Sequence, residues 1–90
     1  MNKSNRELEK IVKGFANHRR LEILQLLGRE PGLSVQDMSE KLKSEFKNIS
    51  AHVSKMLIAG LVYKKSHGNM VRHTLTNRGK SILKFVRIIE

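Results

Sequence analysis

Residues 44–62 have the sequence SEFKNISAHVSKMLIAGLV, which predicts a helix, the end of that helix and the start of a strand. Ser44 is a candidate cap at the helix start, because its hydroxyl can accept a hydrogen bond from an otherwise unpaired backbone N–H. Gly60 is expected to end the helix, since glycine adopts the left-handed conformation at little cost. Spacings of three and four place five positions on one, largely apolar, face: Ile49, Val53, Met56, Leu57 and Gly60.

The opposite face of this helix, which is predicted over residues 45–59, carries short or cationic side chains. Such a face can approach a base edge and a phosphate together, so the helix is a candidate for reading the major groove of DNA. Lys47 and Asn48 lie near its N-terminus, where lysine can donate to guanine and asparagine can pair with adenine. The other predicted contacts, mainly to phosphates, come from Lys43, Ser44, Ser50, Ala51 and Lys55.

The residues that follow change from a helical period to an alternating one and predict a β-hairpin over residues 62–75. Gly68 lies at its tip between polar residues, as is typical of a tight turn. Val71, His73 and Leu75 are predicted to share one face of the second strand, so we expect His73 to pack beside the core. A basic hairpin after a DNA-reading helix is a wing, which can contact the backbone or the minor groove, and its candidate contacts are Lys64, Lys65, His67, Asn69 and Arg72.

Three helices are predicted before the DNA-reading helix. The first covers residues 5–16, the second is capped by Asn17 and closed by Gly28, and the third is capped by Ser34. Leu33 is a candidate strand of one or two residues. Two short helices with a tight connection form a helix-turn-helix pattern, although any two packed helices in a bundle are the alternative. The hairpin favours a mainly α fold with a small β-hairpin, a winged helix-turn-helix of order α-α-(β)-α-α-β-β-α.

A last helix, capped by Thr76, is predicted over residues 77–89. Its apolar residues cover too much of the circumference for one stripe against a small core, so a second partner is expected. The helix could simply keep an apolar exposed edge. The favoured interpretation is a dimer interface formed with the first helix by Leu8, Ile11, Val12, Phe15, Ile82, Phe85, Val86 and Ile89.

Composition and charge restrict the class of protein. The 90 residues are expected to form one domain, residues 1–90, and they carry a net charge of +10. Residues 1–42 are close to neutral, whereas residues 43–87 contain ten Lys/Arg and one Asp/Glu. This asymmetry favours a polyanion-binding surface in the second half over a merely solvated basic face. Without cysteine there are no disulfides or thiolate metal sites, and no membrane span or signal peptide is expected.

Four short motifs add a family resemblance. Residues 15–24 (FANHRRLEIL) combine alanine, a small polar pair and arginine with a leucine-rich helix, and residues 49–56 (ISAHVSKM) place serine, any residue, histidine and an apolar residue in series. Residues 59–62 (AGLV) lead into the hairpin, and residues 75–79 (LTNRG) leave it. Together they resemble winged helix-turn-helix transcription regulators of the ArsR-like group, and the hairpin exit is similar to that of MarR-like and PadR-like regulators. The resemblance covers about residues 15–83.

The resemblance implies a sequence-specific regulator of double-stranded DNA, a homodimeric repressor located in the cytoplasm of a prokaryote and associated with the nucleoid. Many relatives sense metals through a cysteine pair at the third helix, or through carboxylates and histidines along the last helix. Residues 33–37 contain no thiol, and the last helix has no such ligand before Glu90. No metal and no cofactor are therefore expected. His52 matches the motif histidine, for which packing is favoured over phosphate contact.

No catalytic constellation stands out, so an enzyme is not expected. Two other functions stay open. One is a winged helix used for protein contact within a transcription or replication assembly, in which case replacing Lys47 and Asn48 would leave DNA affinity unchanged. The other is architectural, sequence-independent DNA binding, which predicts a steep salt dependence with almost no discrimination between sequences.

Overall fold

The structure is a computed structural model that describes residues 2–90, which contain five helices and one antiparallel hairpin in the predicted order. This arrangement confirms the predicted fold class. The elements are α1 (Asn5–Phe15), α2 (His18–Arg29), α3 (Val35–Leu42), α4 (Phe46–Ile58), β1 (Val62–His67), β2 (Met70–Leu75) and α5 (Asn77–Ile89).

Helix α2 lies at the centre of the core and packs against the other four helices and β2. Ile23 and Leu24 are completely buried and Leu27 almost so, because apolar residues recur along α2 at helical spacing. Met38 of α3 and Ile49 of α4 complete the buried layer around them. The helix-turn-helix formed by α3 and α4 is therefore fixed to the protein through its apolar face.

Side-chain caps explain most of the helix starts. Asn17 accepts hydrogen bonds from the backbone N–H groups of residues 19 and 20, as predicted. Ser34 forms a capping box with Asp37 at the start of α3, and Thr76 accepts from the N–H of Gly79 at the start of α5. These caps satisfy N–H groups that would otherwise lack partners in the first turn of each helix.

Two predicted helix boundaries are wrong. Gly28 does not close α2, which continues to Arg29. A Cβ atom at Gly28 would lie 2.3 Å from Cδ2 of Leu83, so the glycine permits the close approach of α5. Ser44 does not cap α4. Glu45 occupies the N-cap position, and the side chain of Glu45 makes no capping hydrogen bond to any described residue.

The hairpin is attached to the rest of the protein at its base. The register pairs Val62 with Leu75 at the base and His67 with Met70 at the tip, as expected for a wing over residues 62–75. Leu33 forms an isolated bridge with His73, which confirms the very short strand predicted there. Besides the strand pairing and this bridge, a hydrogen bond between Thr76 and Gly60 joins the exit of the hairpin to the end of α4.

Gly60 ends α4 with a φ of 74°, as predicted. Its carbonyl oxygen accepts a hydrogen bond of 2.6 Å from the hydroxyl of Thr76, which also caps α5. One side chain thus connects the end of the helix-turn-helix, the exit of the hairpin and the start of the last helix.

Candidate nucleic-acid interface

Helix α4 presents the polar face that the sequence predicts. Its apolar residues Ile49, Val53 and Met56 are buried against α2 and the core. Phe46 and Ile58, at the two ends of the helix, are exposed apolar residues. Between them, the residues that face solvent are short or cationic, as suits a helix in the major groove. They are Lys47, Asn48, Ala51, Ser54 and Lys55, whereas Ser50 is half-buried on the flank that faces the hairpin and Leu57 is only half-buried.

The side-chain amide of Asn48 is oriented by a neighbour. Its Nδ2 atom donates a hydrogen bond of 3.1 Å to the hydroxyl oxygen of Ser44. An amide has two N–H donors and a carbonyl acceptor, so one donor and the acceptor remain for a base edge. The hydroxyl of Ser44 therefore contacts the side chain of Asn48 and does not cap the helix as predicted.

A groove separates α4 from the hairpin, and we call it the wing groove. It has a volume of about 550 Å³ and is open to solvent. It brings together three residues that the sequence predicted on separate elements, Ser50, Lys64 and Asn69. Four further residues that were not predicted for the interface line it: Ser34, Gln36, Phe46 and Ser54. The polar face of α4 was the signal for Ser54, whereas only the packing of α3 beside α4 brings Ser34 and Gln36 to the groove.

The cations of the wing point to two different places. Lys64 lies on the inner face, toward the wing groove, whereas Lys65 is paired across the strands with Arg72 on the outer face. Like charges directly opposite each other in a sheet repel. Arg72 relieves part of this repulsion by donating through Nη1 to the carbonyl oxygen of Gly32, 3.0 Å away. Arg72 is thus also a tether, which alternation of residues could not predict.

The tip of the wing carries His67 and Asn69, both exposed as predicted. His73 lies at the other end and is buried, with its ring Nδ1 3.0 Å from the carbonyl oxygen of Leu33. Since a carbonyl oxygen accepts, Nδ1 carries the proton in this contact. The prediction that His73 packs beside the core is confirmed.

His52 connects α4 to α2. Nε of Arg20 donates to Nδ1 of His52 across 3.2 Å, and Nη1 of Arg20 donates to the carbonyl oxygen of Lys13 at 2.8 Å. Burial lowers the pKa of His52, and the positive charges of Arg20 and Arg19 lower it further. The ring is therefore neutral near pH 7, accepts at Nδ1 and braces the recognition helix, in agreement with the favoured packing interpretation.

The residues predicted for a dimer interface divide into three groups. Leu8, Val12, Phe85 and Ile89 are exposed, and Ile11, Phe15 and Ile82 are half-buried against the core. Val86 is only 7% exposed because it packs inside the protomer, so it has little surface left for the predicted interface. Ile88 is 73% exposed and was missed, although its apolar character in the last turn of α5 was the signal for it.

The described chain offers no cluster for a metal. Among residues 2–90, no group of three or more His, Cys, Asp or Glu side chains comes close enough together to hold an ion. None of the helices in this part of the chain is both long and apolar enough to cross a membrane.

A winged helix with a polar recognition face and a basic wing defines the DNA-binding module of transcription regulators. The family model for bacterial regulatory proteins of the arsR family matches residues 17–64. The chain belongs to this family and contains the DNA-binding winged helix of its transcription regulators. No curated protein sequence matches the chain.

Solved structures agree with the family. The chain is similar to HlyU from Vibrio cholerae N16961, with 28% identity, a TM-score of 0.84, and coverage of 99% of this chain and 97% of that one. HlyU from Vibrio vulnificus CMCP6 shares 28% identity at a TM-score of 0.78, over 94% of this chain and 88% of that one. The fold also matches the homodimeric winged helix-turn-helix DNA-binding domain of Mb0332 from Mycobacterium bovis, with 21% identity, a TM-score of 0.84, and coverage of 99% and 88%.

Proposed function

We propose that the protein is a sequence-specific, dimeric repressor that reads the major groove with residues 45–59 and contacts the backbone or minor groove with the wing, residues 62–75. The observation that carries this proposal is the exposed polar face of α4 beside a groove lined by Lys64 and Asn69. Base edges would be read by Lys47 and by the oriented amide of Asn48.

The other assigned side chains would contact phosphates, which position the protein without reading sequence. Ser50 and Lys64 face the wing groove, where a backbone strand would pass between helix and wing. The remaining members of this set lie at the start of α4, on its exposed face or on the wing, and they are Lys43, Lys55, Lys65, His67, Asn69 and Arg72. Ser44 would act by orienting Asn48, and the small side chain of Ala51 would let α4 approach the DNA closely.

A homodimer would cover the apolar residues that α1 and α5 leave exposed. Leu8 and Val12 are about half exposed on α1, as is Phe85 on α5, while Ile88 and Ile89 are exposed more fully. The similar domain from Mycobacterium bovis is homodimeric, which supports this arrangement. Two recognition helices would then enter successive major grooves about 34 Å apart and favour an inverted repeat. A dimer bound there would repress by occupying DNA that the transcription machinery needs.

The same proposal treats residues 1–90 as one DNA-binding domain without catalytic activity, metal or cofactor. Its partners would be double-stranded DNA and a second copy of the chain. Its place would be the prokaryotic cytoplasm, on the nucleoid. The family membership and the exposed polar face of α4 support this assignment.

The test is a selection of genomic duplex fragments by the purified protein near physiological salt, followed by sequencing. Enrichment of an inverted repeat is the expected result. Enrichment must disappear in the variant Lys47→Ala/Asn48→Ala and persist in the composition-matched control Asn77→Ala/Lys80→Ala on α5. Binding without enrichment would point to architectural DNA coating, and an absence of binding would point to protein contact.

A further inference from the structure

A second concave surface lies between α1, the C-terminal end of α4 and the start of α5, and we call it the basic cleft. It has a volume of about 460 Å³. Among the described residues that line the basic cleft, one is acidic, namely Glu7. The cations that line it come from four helices and from the segment before α1, and they are Lys3, Lys10, Lys13, Arg20, Lys55 and Arg78.

The two arginines of the basic cleft are held in place by backbone carbonyls. Nη1 of Arg20 donates to the carbonyl oxygen of Lys13 at 2.8 Å, and Nη1 of Arg78 donates to that of Ala59 at 2.9 Å. A guanidinium has five N–H donors, so each arginine keeps donors for a further acceptor. Fixed guanidinium groups lose little conformational freedom when an anion binds.

The single acid does not balance these charges. The carboxylate of Glu7 accepts hydrogen bonds from the backbone N–H and the hydroxyl of Ser4, which completes the capping box of α1. These hydrogen bonds lower the pKa of Glu7, so it carries a negative charge. Glu9, outside the lining, forms a 3.4 Å salt bridge with Lys13, so two carboxylates stand against six cations and the positive charge remains in excess. A cleft lined mainly by one sign of charge focuses the field and concentrates ions of the opposite sign.

The basic cleft is continuous with the DNA-facing side of α4 but separate from the wing groove. Lys55 and Ile58 of α4 line it, and both are exposed toward the end of the recognition helix. The wing contributes none of the described lining residues. Leu8 and Val12, the exposed apolar residues of α1, lie outside its lining. Ile11, which was also predicted for the dimer interface, does line the cleft, but it is half-buried against the core.

We propose that the basic cleft binds phosphate groups of a polyanion, through Lys3 and Lys10 together with the two fixed arginines. The phosphates come either from the DNA backbone beside the site contacted by α4 or from a free polyphosphate compound. If the phosphates belong to the DNA backbone, the inference rests on the proposed function. It assigns a binding role to residues of the chain's nearly neutral first half.

The first arm of the test measures the salt dependence of DNA binding between about 50 and about 200 mM salt. The variant Lys3→Gln/Lys10→Gln is compared with Arg6→Gln/Lys84→Gln, which removes the same charge from exposed positions outside the cleft. Two lost phosphate contacts reduce the loss of affinity over this range by about 12-fold for each bound protomer, because each contact contributes about 0.9 to the slope of log affinity against log salt. The control variant must keep the wild-type slope, except for the small change that both variants share because each removes two positive charges from the protein.

The second arm titrates inorganic tripolyphosphate into the DNA-free protein by calorimetry. If tripolyphosphate binds the wild type and control but binds Lys3→Gln/Lys10→Gln about fivefold more weakly or worse, the cleft is a phosphate site whatever its DNA slope. An unchanged DNA slope together with that result assigns the cleft to a free polyphosphate. An unchanged slope with equal or absent tripolyphosphate binding overturns the inference. If the wild type binds no DNA, the proposed function fails and this second arm alone decides.

Discussion

Asn48 offers the sharpest test of how α4 reads DNA. Its amide is already oriented by the 3.1 Å hydrogen bond to Ser44, and both residues lie at the exposed start of the recognition helix. We expect Asn48→Ala to remove a base contact and Ser44→Ala to remove only its orientation. The two substitutions should therefore be strongly coupled in their effect on DNA affinity.

The magnitudes follow from the contacts. A two-bond contact from asparagine to adenine contributes about 1–3 kcal/mol, so Asn48→Ala should weaken binding by about 5- to 150-fold for each half-site of the selected operator. The orienting hydrogen bond contributes about 0.5–1.5 kcal/mol, so Ser44→Ala should weaken binding by about 2- to 12-fold for each half-site. Because Ser44 acts through Asn48, the double variant should bind no more weakly than Asn48→Ala alone.

Fluorescence anisotropy on the operator and on a scrambled duplex at one salt concentration measures all four proteins of this cycle. Asn77→Ala/Ser81→Ala on α5 is the matched control, since both positions are exposed. Equal weakening on the operator and the scrambled duplex would refute base reading by Asn48. Fully additive effects would refute the orienting role of Ser44 and leave it with an independent phosphate contact.

Three further variants test the framework that holds the interface. Arg20→Met removes the hydrogen bonds to Lys13 and His52 and should cost about 2 kcal/mol, or roughly 8–16 °C in Tm, by calorimetry; an unchanged Tm would contradict the brace. The pKa of His52 is lower in the folded protein than its ordinary 6.5, so the unfolded chain binds more protons and stability falls as the pH drops below about 6.5. In His52→Asn the stability should fall less between pH about 7.5 and pH about 5 than in the wild type, as measured by the midpoints of urea denaturation. The same fall in both proteins would exclude His52 as its source. Gly79→Ala would place a Cβ atom 2.1 Å from the carbonyl oxygen of Leu61. Overpacking should cost about 3 kcal/mol, and the higher helix propensity of alanine should return about 1 kcal/mol. We therefore expect Gly79→Ala to lower the free energy of unfolding by about 2 kcal/mol in urea denaturation. A variant as stable as the wild type would show that α5 can shift to accommodate the methyl group.

The fold was predictable because local patterns agree with one another along the chain. The capping boxes at Ser4 and Ser34 mark helix starts, Gly60 marks the end of the recognition helix, and the alternation around His73 marks a strand with one buried face. Each of these signals depends on residues close together in sequence. Propensity, periodicity and turn chemistry therefore point to the same arrangement of elements.

The features that the sequence did not predict are contacts between residues far apart in sequence. A glycine is typical of a helix end, but Gly28 lies inside α2, and the side chain of Leu83 on α5 occupies the space where a Cβ at this position would be. Val86 belongs to an apolar run on α5, and only the packing of α5 on the core separates it from its exposed neighbours. Arg72 likewise became a tether because the loop at Gly32 reaches it. A sequence pattern does not contain these distances.

Charge counted along the chain is also a poor guide to charge on the surface. Lys3 and Lys10 belong to a nearly neutral half of the sequence, yet the fold places them in one cleft with Lys55 and Arg78.

Such clusters cost stability in the absence of a counter-charge, as does the pairing of Lys65 with Arg72 across the wing. Under the proposed function both clusters lie beside the recognition helix, and DNA would supply the missing negative charge to each. Binding should then stabilise the folded protein by more than the contacts of α4 alone provide, because repulsion already present in the free protein is relieved at the same time.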